Sequence, residues 1–319
     1  MRVLVTGGAG YIGSHVVLEL CENGYEVIVL DDLSSGNKDA VDDRAKFING
    51  STLSNSDIEL GLENVEAVIH LAAFKAAEES MIDPIKYSQN NLMGSINLLN
   101  AVIKNKINKF VFSSTAAVYG YPEYLPLDEN HPLLPINYYG FTKLEIERII
   151  QWYSQIKGLR FAALRYFNAA GYDINSRLNF IEKNPANLIP ITMEVASGLR
   201  RKMLVFGNDY DTPDGTGLRD YIHVSDLAIA HVKAINFLQN NKNLKVNLST
   251  GERHSVLDVI KMTNRVSGKQ INYEIVERRL GDPAELYANS DLAYEALHWK
   301  PKYSGLKMLI ESTWDVYKK

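Results

Sequence analysis

Cysteine is almost missing from this chain. Cys21 stands alone among 319 residues, so no intrachain disulfide can form and the fold needs no oxidising compartment. Its expected role is packing on a helix. Long apolar runs are missing too: none approaches the roughly 20 residues that a membrane-spanning helix requires. The opening residues, Met1-Arg2 followed by VLVTGGAGYIG, carry glycines where a secretion signal needs an unbroken apolar stretch, so the expected location is cytoplasmic. No charge of one sign dominates, since 34 Lys and Arg face 38 Asp and Glu for a formal net charge of -4. That balance excludes a long-range pull on nucleic acid, and an anionic ligand must be held by local cations. Repeats, low-complexity segments and flexible linkers are also lacking. No metal, membrane or nucleic-acid partner is expected.

The composition that remains, 46% hydrophobic and 23% charged, is that of a globular chain long enough for two packed units. In the first half, short apolar runs alternate with helical patterns. RVLVT, EVIVL, KFING, AVIHLA, KFVFSS and RFAALRYF read as strands, several apolar on both faces, as a parallel sheet covered by helices requires. Ile12, Val16 and Leu20 recur at one-turn spacing before Asn23-Gly24, a helix stop; further helices are predicted over about 84–104 and 138–157. This alternation predicts an α/β, doubly wound parallel sheet of Rossmann type. After Asn168 the rhythm gives way to loops such as NDYDTPDGTG, which is read as a second, smaller α/β domain over the carboxyl ends of the sheet. The expected division is 1–168 and 169–319, with a segment near 221–251, including KVNLSTG, returning to the main sheet.

VTGGAGYIGSH places Gly7, Gly10 and Gly13 between the first strand and the first helix, where backbone can approach a pyrophosphate closely. Tyr11 and Ile12 complete that candidate cofactor loop. Asp31, ending EVIVLD, can accept from adenosine ribose hydroxyls and would repel a 2′-phosphate, which selects NAD over NADP. NYYGFTKLE then sets Tyr139 and Lys143 four residues apart, on one face of a helix. The same spacing recurs at Tyr303 and Lys307 in YSGLK, so spacing alone decides nothing. A tyrosine, with a reference pKa near 10, needs an adjacent ammonium to act as a base at neutral pH. Ser113, Ser114 and Thr115, at the end of the fifth predicted strand, offer a hydroxyl beside it.

The glycine loop, the SST strand end and YYGFTK together resemble the extended short-chain dehydrogenase/reductase family. RYFNAAG, FGNDYDTPDGTGLRDYIHV and RRLGDPA resemble, more narrowly, its UDP-glucose 4-epimerases, and the likeness runs over nearly the whole chain. The resemblance implies that Tyr139 is the base, Lys143 its lysine and Thr115 the accompanying hydroxyl, and that Tyr303 and Lys307 are an accident of spacing. It implies inversion at C4 of a UDP-hexose through a transient 4-keto sugar, with tightly held NAD taking and returning the hydride. It also puts Lys75, Asn90 and Phe167 near the cofactor, and Asn168, Asn187, Leu188 and Phe206 around UDP and sugar. Arg219 and Arg279 would neutralise the diphosphate, and Asp282 would accept from the uridine ribose. A homodimer is expected by the same analogy, through the helices near 84–104 and 138–157.

Two positions depart from the family pattern. Ser51 in NGST stands where relatives have an acid that accepts from the adenine amine, and Leu286 stands where glucose-selective relatives have a tyrosine at the pocket wall. The second departure leaves space beside the sugar C2 position, so UDP-N-acetylglucosamine becomes a candidate substrate. Two other readings share the fold. A dehydratase needs an acid and base after the threonine, where this chain has Ala116 and Ala117. A non-catalytic NAD-binding scaffold has no need of the tyrosine and lysine, both of which are kept.

Overall fold

The computed structural model describes residues 1–182, 185–240, 242–279 and 281–318. Seven runs rich in Val, Ile, Leu and Phe form one parallel sheet. In chain order its strands are β1 (Arg2–Thr6), β2 (Glu26–Asp31), β3 (Lys46–Asn49), β4 (Ala67–His70), β5 (Lys109–Ser113), β6 (Arg160–Tyr166) and β7 (Leu244–Leu248). They lie in the order β7-β6-β5-β4-β1-β2-β3. The order reverses between β1 and β4, and at such a switch point the crossovers diverge and leave a crevice at the carboxyl ends of the strands.

Both faces of the sheet are covered. Val3 and Val5 join one apolar cluster with Val16, Val17 and Leu20 of the helix Tyr11–Glu22 and with the helix Val224–Phe237. Leu4, between them, points to the other face and packs with Leu98, Leu99, Val102, Ile146 and Ile150. This is the period of two expected of a strand buried on both sides, and it explains why β1 shows no polar alternation.

The helix Tyr138–Lys157 is framed by its own sequence. Asn137 at its N-cap accepts from the Gly140 amide at 2.8 Å, and Gly158 ends it in the left-handed conformation at φ 72. The span 84–104 is helical but not uniform: α-helical Pro84–Tyr87 and Gly94–Lys104 flank a π-helical stretch, Ser88–Met93. The reason is local. Asn91, fully buried, turns its amide onto the Phe74 backbone, accepting from its N–H at 3.0 Å and donating to its carbonyl at 3.0 Å.

Beyond β6 the strands other than β7 shorten to two to four residues. Met203–Phe206 pairs with Tyr273–Val276, and Leu218–Arg219 lies between His254–Ser255 and Glu285–Leu286. Helices Leu188–Ala196, Val256–Ser267 and Leu306–Tyr317 supply most of the apolar packing there. Among the described residues no helix is long and apolar enough to cross a membrane.

Candidate active site

The glycine loop is a turn that side chains cannot enter. Gly7 has φ 74, and a Cβ there would lie 2.6 Å from the Ala72 nitrogen; a Cβ on Gly13 would lie 2.0 Å from the Gly7 carbonyl oxygen. Gly10 caps the helix Tyr11–Glu22 without a side-chain hydrogen bond, so the first-turn amides of Tyr11, Ile12 and Gly13 have no side-chain acceptor. A bare helix N-terminus behind a glycine turn fits a dinucleotide diphosphate. The Tyr11 hydroxyl donates to the Gly171 carbonyl at 2.5 Å, pinning the loop to the second half of the chain. Asp31 is buried at the end of β2. Its carboxylate accepts from Ala9 N–H at 3.0 Å and from Leu33 N–H at 2.8 Å; burial raises its pKa, and these two bonds oppose the rise. Each oxygen keeps a lone pair for a ribose hydroxyl. The set therefore fits NAD.

Beside this loop, at the end of β5, stand Thr115, Tyr139 and Lys143. The Tyr139 hydroxyl lies near the Thr115 side chain, and burial pushes its pKa up to about 12, with the threonine hydroxyl opposing. Lys143, 4% exposed, donates from Nζ to the Ser113 carbonyl at 2.9 Å. Its Nζ lies 4.8 Å from the Phe112 ring centre and 6.0 Å from that of Tyr139. Burial pulls its pKa down to about 7, opposed by the Glu147 carboxylate one turn along the helix. Both groups are thus held toward neutrality in the protein alone, where a neighbouring cation would favour the phenolate. Tyr303 and Lys307 have no such setting: Tyr303 precedes the helix that begins at Leu306, and Lys307 is exposed, 3.5 Å from Glu311.

The candidate substrate residues gather on the second half of the chain, and their charges are paired. Arg219 is bonded to Asp282 and to the Pro283 carbonyl, the latter at 2.7 Å. Arg279 stacks on Phe206 at 3.9 Å from the ring centre and pairs with Glu78 at 3.0 Å. Lys75 pairs with Glu182 at 2.5 Å and lies 5.9 Å from the Tyr11 ring centre. Phe167 and Leu286 pack against one cluster with Val118, Tyr119 and Leu144, which joins the substrate strands to the Tyr139 helix. Asn168 donates to the Asp220 carbonyl at 2.9 Å, and Asn90 to the Asn91 side chain at 3.1 Å. Asn187 is the N-cap of Leu188–Ala196 with no capping bond of its own, whereas Leu188 packs on the core. In the motif RRLGDPA, Leu280 lies outside the described residues.

Several contributors escape a reading by motif. The Ser113 carbonyl holds Lys143, Asn91 clamps the loop after β4, and His70 is buried near Lys143, held neutral with a pKa near 3 by burial and by the lysine charge. Tyr166 is buried near Ser113 and Tyr139, and burial raises its pKa. Two signals were available: paired asparagines inside a helix, where they are unfavourable, and Arg165 inside the apolar run RFAALRYF.

A parallel sheet with a glycine-turn crevice and a tyrosine-lysine pair at its carboxyl edge defines a dinucleotide-dependent enzyme of the short-chain dehydrogenase/reductase type. Residues 3–249 match the NAD dependent epimerase/dehydratase family, and the chain belongs to that family. It is 44% identical, over all of its length and 96% of the relative's, to the UDP-glucose 4-epimerase of Halalkalibacterium halodurans. It is similar to the UDP-glucose 4-epimerase of Brucella ovis solved in complex with NAD, at TM-score 0.96 and 41% identity, covering 99% of this chain and 98% of that one. The enzyme of that name from Bifidobacterium longum, solved with NAD+ and UDP, matches at TM-score 0.94 and 38% identity, with 99% and 98% covered.

Proposed function

We propose that this chain is an epimerase that inverts C4 of a UDP-hexose, with NAD as its resident cofactor and UDP-glucose and UDP-galactose as its substrate pair. The observation that carries the reading is the buried Lys143 beside the Tyr139 ring, with Thr115 near its hydroxyl, at the edge of the crevice that the glycine loop and Asp31 form. Bound NAD supplies there a hydride acceptor and donor for the sugar carbon, and a positive charge. Tyr139 takes the proton of the 4-hydroxyl, directly or through Thr115, and gives it back after the planar 4-keto sugar has turned over. Lys143 steadies the phenolate. Arg219 and Arg279 exchange Asp282 and Glu78 for the diphosphate, which frees Asp282 for the uridine ribose. Anchoring the nucleotide rather than the hexose leaves the sugar free to rotate.

The test is to incubate the purified protein with UDP-galactose alone. UDP-glucose should form with no added oxidant or reductant; a requirement for a stoichiometric redox partner would make the protein a dehydrogenase. For Arg219→Ala we expect weaker UDP binding by about 10- to 100-fold, the worth of a charge-assisted hydrogen-bond pair, with the bound-NAD content unchanged. Equal UDP affinity in a calorimetric titration would remove Arg219 from the diphosphate site.

The reading extends to the 2-acetamido sugars. Leu286 is half-buried against the cluster that includes Phe167, and its side chain takes less room than a tyrosine would. Turnover of UDP-N-acetylgalactosamine is expected. In Leu286→Tyr it should fall about tenfold or more while UDP-galactose turnover is kept, since a hydrophobic wall discriminates by about 1–3 kcal/mol. A wild-type protein inactive on the acetamido sugar would refute this extension.

We also read the chain as a cytoplasmic homodimer, with a cofactor unit at 1–168 plus the segment near 221–251 and a UDP-sugar unit at 169–319. Supporting the dimer, exposed apolar side chains cluster on the packed helices that precede and follow the site: Ile82, Ile85, Met93, Phe141, Trp152 and Ile156. Sedimentation equilibrium should give about twice the 35.9 kDa chain mass, and a single-chain mass would dismiss it. Supporting the location, Cys21 is a free thiol.

A further inference from the structure

Behind the site lies a buried ion pair that the chemistry above does not use. Glu147, 1% exposed, follows Lys143 by one turn on the helix Tyr138–Lys157; Arg165, also 1% exposed, sits near the end of β6. The pair is bidentate, with Arg165 Nε 3.0 Å and Nη2 2.6 Å from the two carboxylate oxygens. Ser114 Oγ donates to the same carboxylate at 2.5 Å, and Ser114 precedes Thr115. On the far side Arg165 Nη1 donates to the Tyr119 hydroxyl at 3.1 Å, which donates to Asn247 Oδ1 of β7 at 2.6 Å. A buried ion pair is a poor stabiliser, because desolvation offsets most of its attraction and a well-packed apolar pair serves as well. Its place needs another reason.

We propose that the Glu147–Arg165 pair is a positioning element of the Tyr139, Lys143 and Thr115 site: Glu147 sets a carboxylate one turn behind Lys143, and its bond to Ser114 fixes the strand end that carries Thr115. The inference rests on Tyr139 being the base. The groups facing Lys143 are Tyr139 and Glu147 on its own helix, His70 on β4, and the Phe112 ring and Ser113 carbonyl on β5; behind them on β6, Arg165 touches Glu147 and Tyr166 lies near Tyr139. Burial leaves His70 neutral. Glu147 is the carboxylate that favours the ammonium, and Arg165 in turn aims it through two hydrogen bonds.

The test is the double variant Glu147→Leu/Arg165→Met, which removes both partners of the pair together, so that neither is left buried without the other. The NAD-loaded protein is labelled with an isotope at the lysine Cε, and Lys143 is titrated by NMR, its signal assigned with Lys143→Met. We expect the Lys143 midpoint to fall by about one pH unit or more, and the alkaline limb of kcat to fall with it while KM changes little. Should the double variant not fold, Glu147→Gln, which keeps the shape and removes the charge, is read in the same way. A folded variant with an unmoved midpoint and an unmoved alkaline limb would overturn the proposal and leave the pair a structural brace. An inactive wild-type protein would refute the epimerase reading separately, because the NMR titration decides the pair without turnover.

Discussion

Replacing Tyr139 by Phe should lower epimerisation of UDP-galactose by about 10²- to 10⁴-fold, the usual contribution of a positioned acid-base group. The change removes one oxygen, and the polar neighbour left behind is the Thr115 hydroxyl, itself half-buried and able to rotate toward water. The ring remains on its helix, so thermal stability and the amount of NAD carried through purification should match wild type. Kinetics and cofactor content measured on one preparation check this. A Tyr139→Phe protein with wild-type turnover would end the assignment of the base.

Replacing Lys143 by Met should separate activity from stability. Turnover should drop about 10²-fold or more, because the phenolate loses its nearest ammonium. The fold should meanwhile become more stable. In the native state Lys143 titrates near 7, against a reference of 10.5. Between those values the unfolded chain binds the proton that the folded one has released, so stability rises with pH across this window. Burying the ammonium therefore carries its full cost below pH 7, and the cost is relieved as pH climbs toward 10.5. Met removes the charge but strands the Ser113 carbonyl. The net gain at neutral pH should be about 1–3 kcal/mol, shrinking as pH rises. Denaturant melts of both proteins at neutral and alkaline pH read this directly, and a variant less stable than wild type at pH 7 would contradict the burial argument. Such a lysine is a cost to the fold that activity requires.

The opposed shifts of Tyr139 and Lys143 also say why neither residue can be judged alone. Each is buried enough to resist its charged form, so the ion pair forms only when further charge enters the site. Glu147 already opposes the fall of the lysine from behind, and a cationic ring from the front would favour the phenolate.

Much of this was legible from residue order. Glycine at 7 and 13 is dictated by contacts that no side chain survives, so the turn after β1 can be read before any coordinates. Asn137 and Gly158 bracket the helix Tyr138–Lys157 by local capping, which is why its limits follow from sequence. The π-helical stretch at Ser88–Met93 was not legible, because it depends on Asn91 reaching a loop 17 residues away in sequence. Nor was the pairing of Arg279 with Glu78, since those residues come from opposite halves of the chain.

By itself the sequence determined the alternation that makes a parallel sheet, the turn that approaches a diphosphate and the one-turn spacing of Tyr139 and Lys143, because each is set by neighbours along the chain. Only the tertiary structure decided which of three identical tyrosine-lysine spacings, at 139/143, 153/157 and 303/307, is buried at a strand end, and that Glu147 and Arg165 meet behind it. Burial and long-range charge set those properties, and they exist only once β5, β6 and the helix Tyr138–Lys157 are brought together.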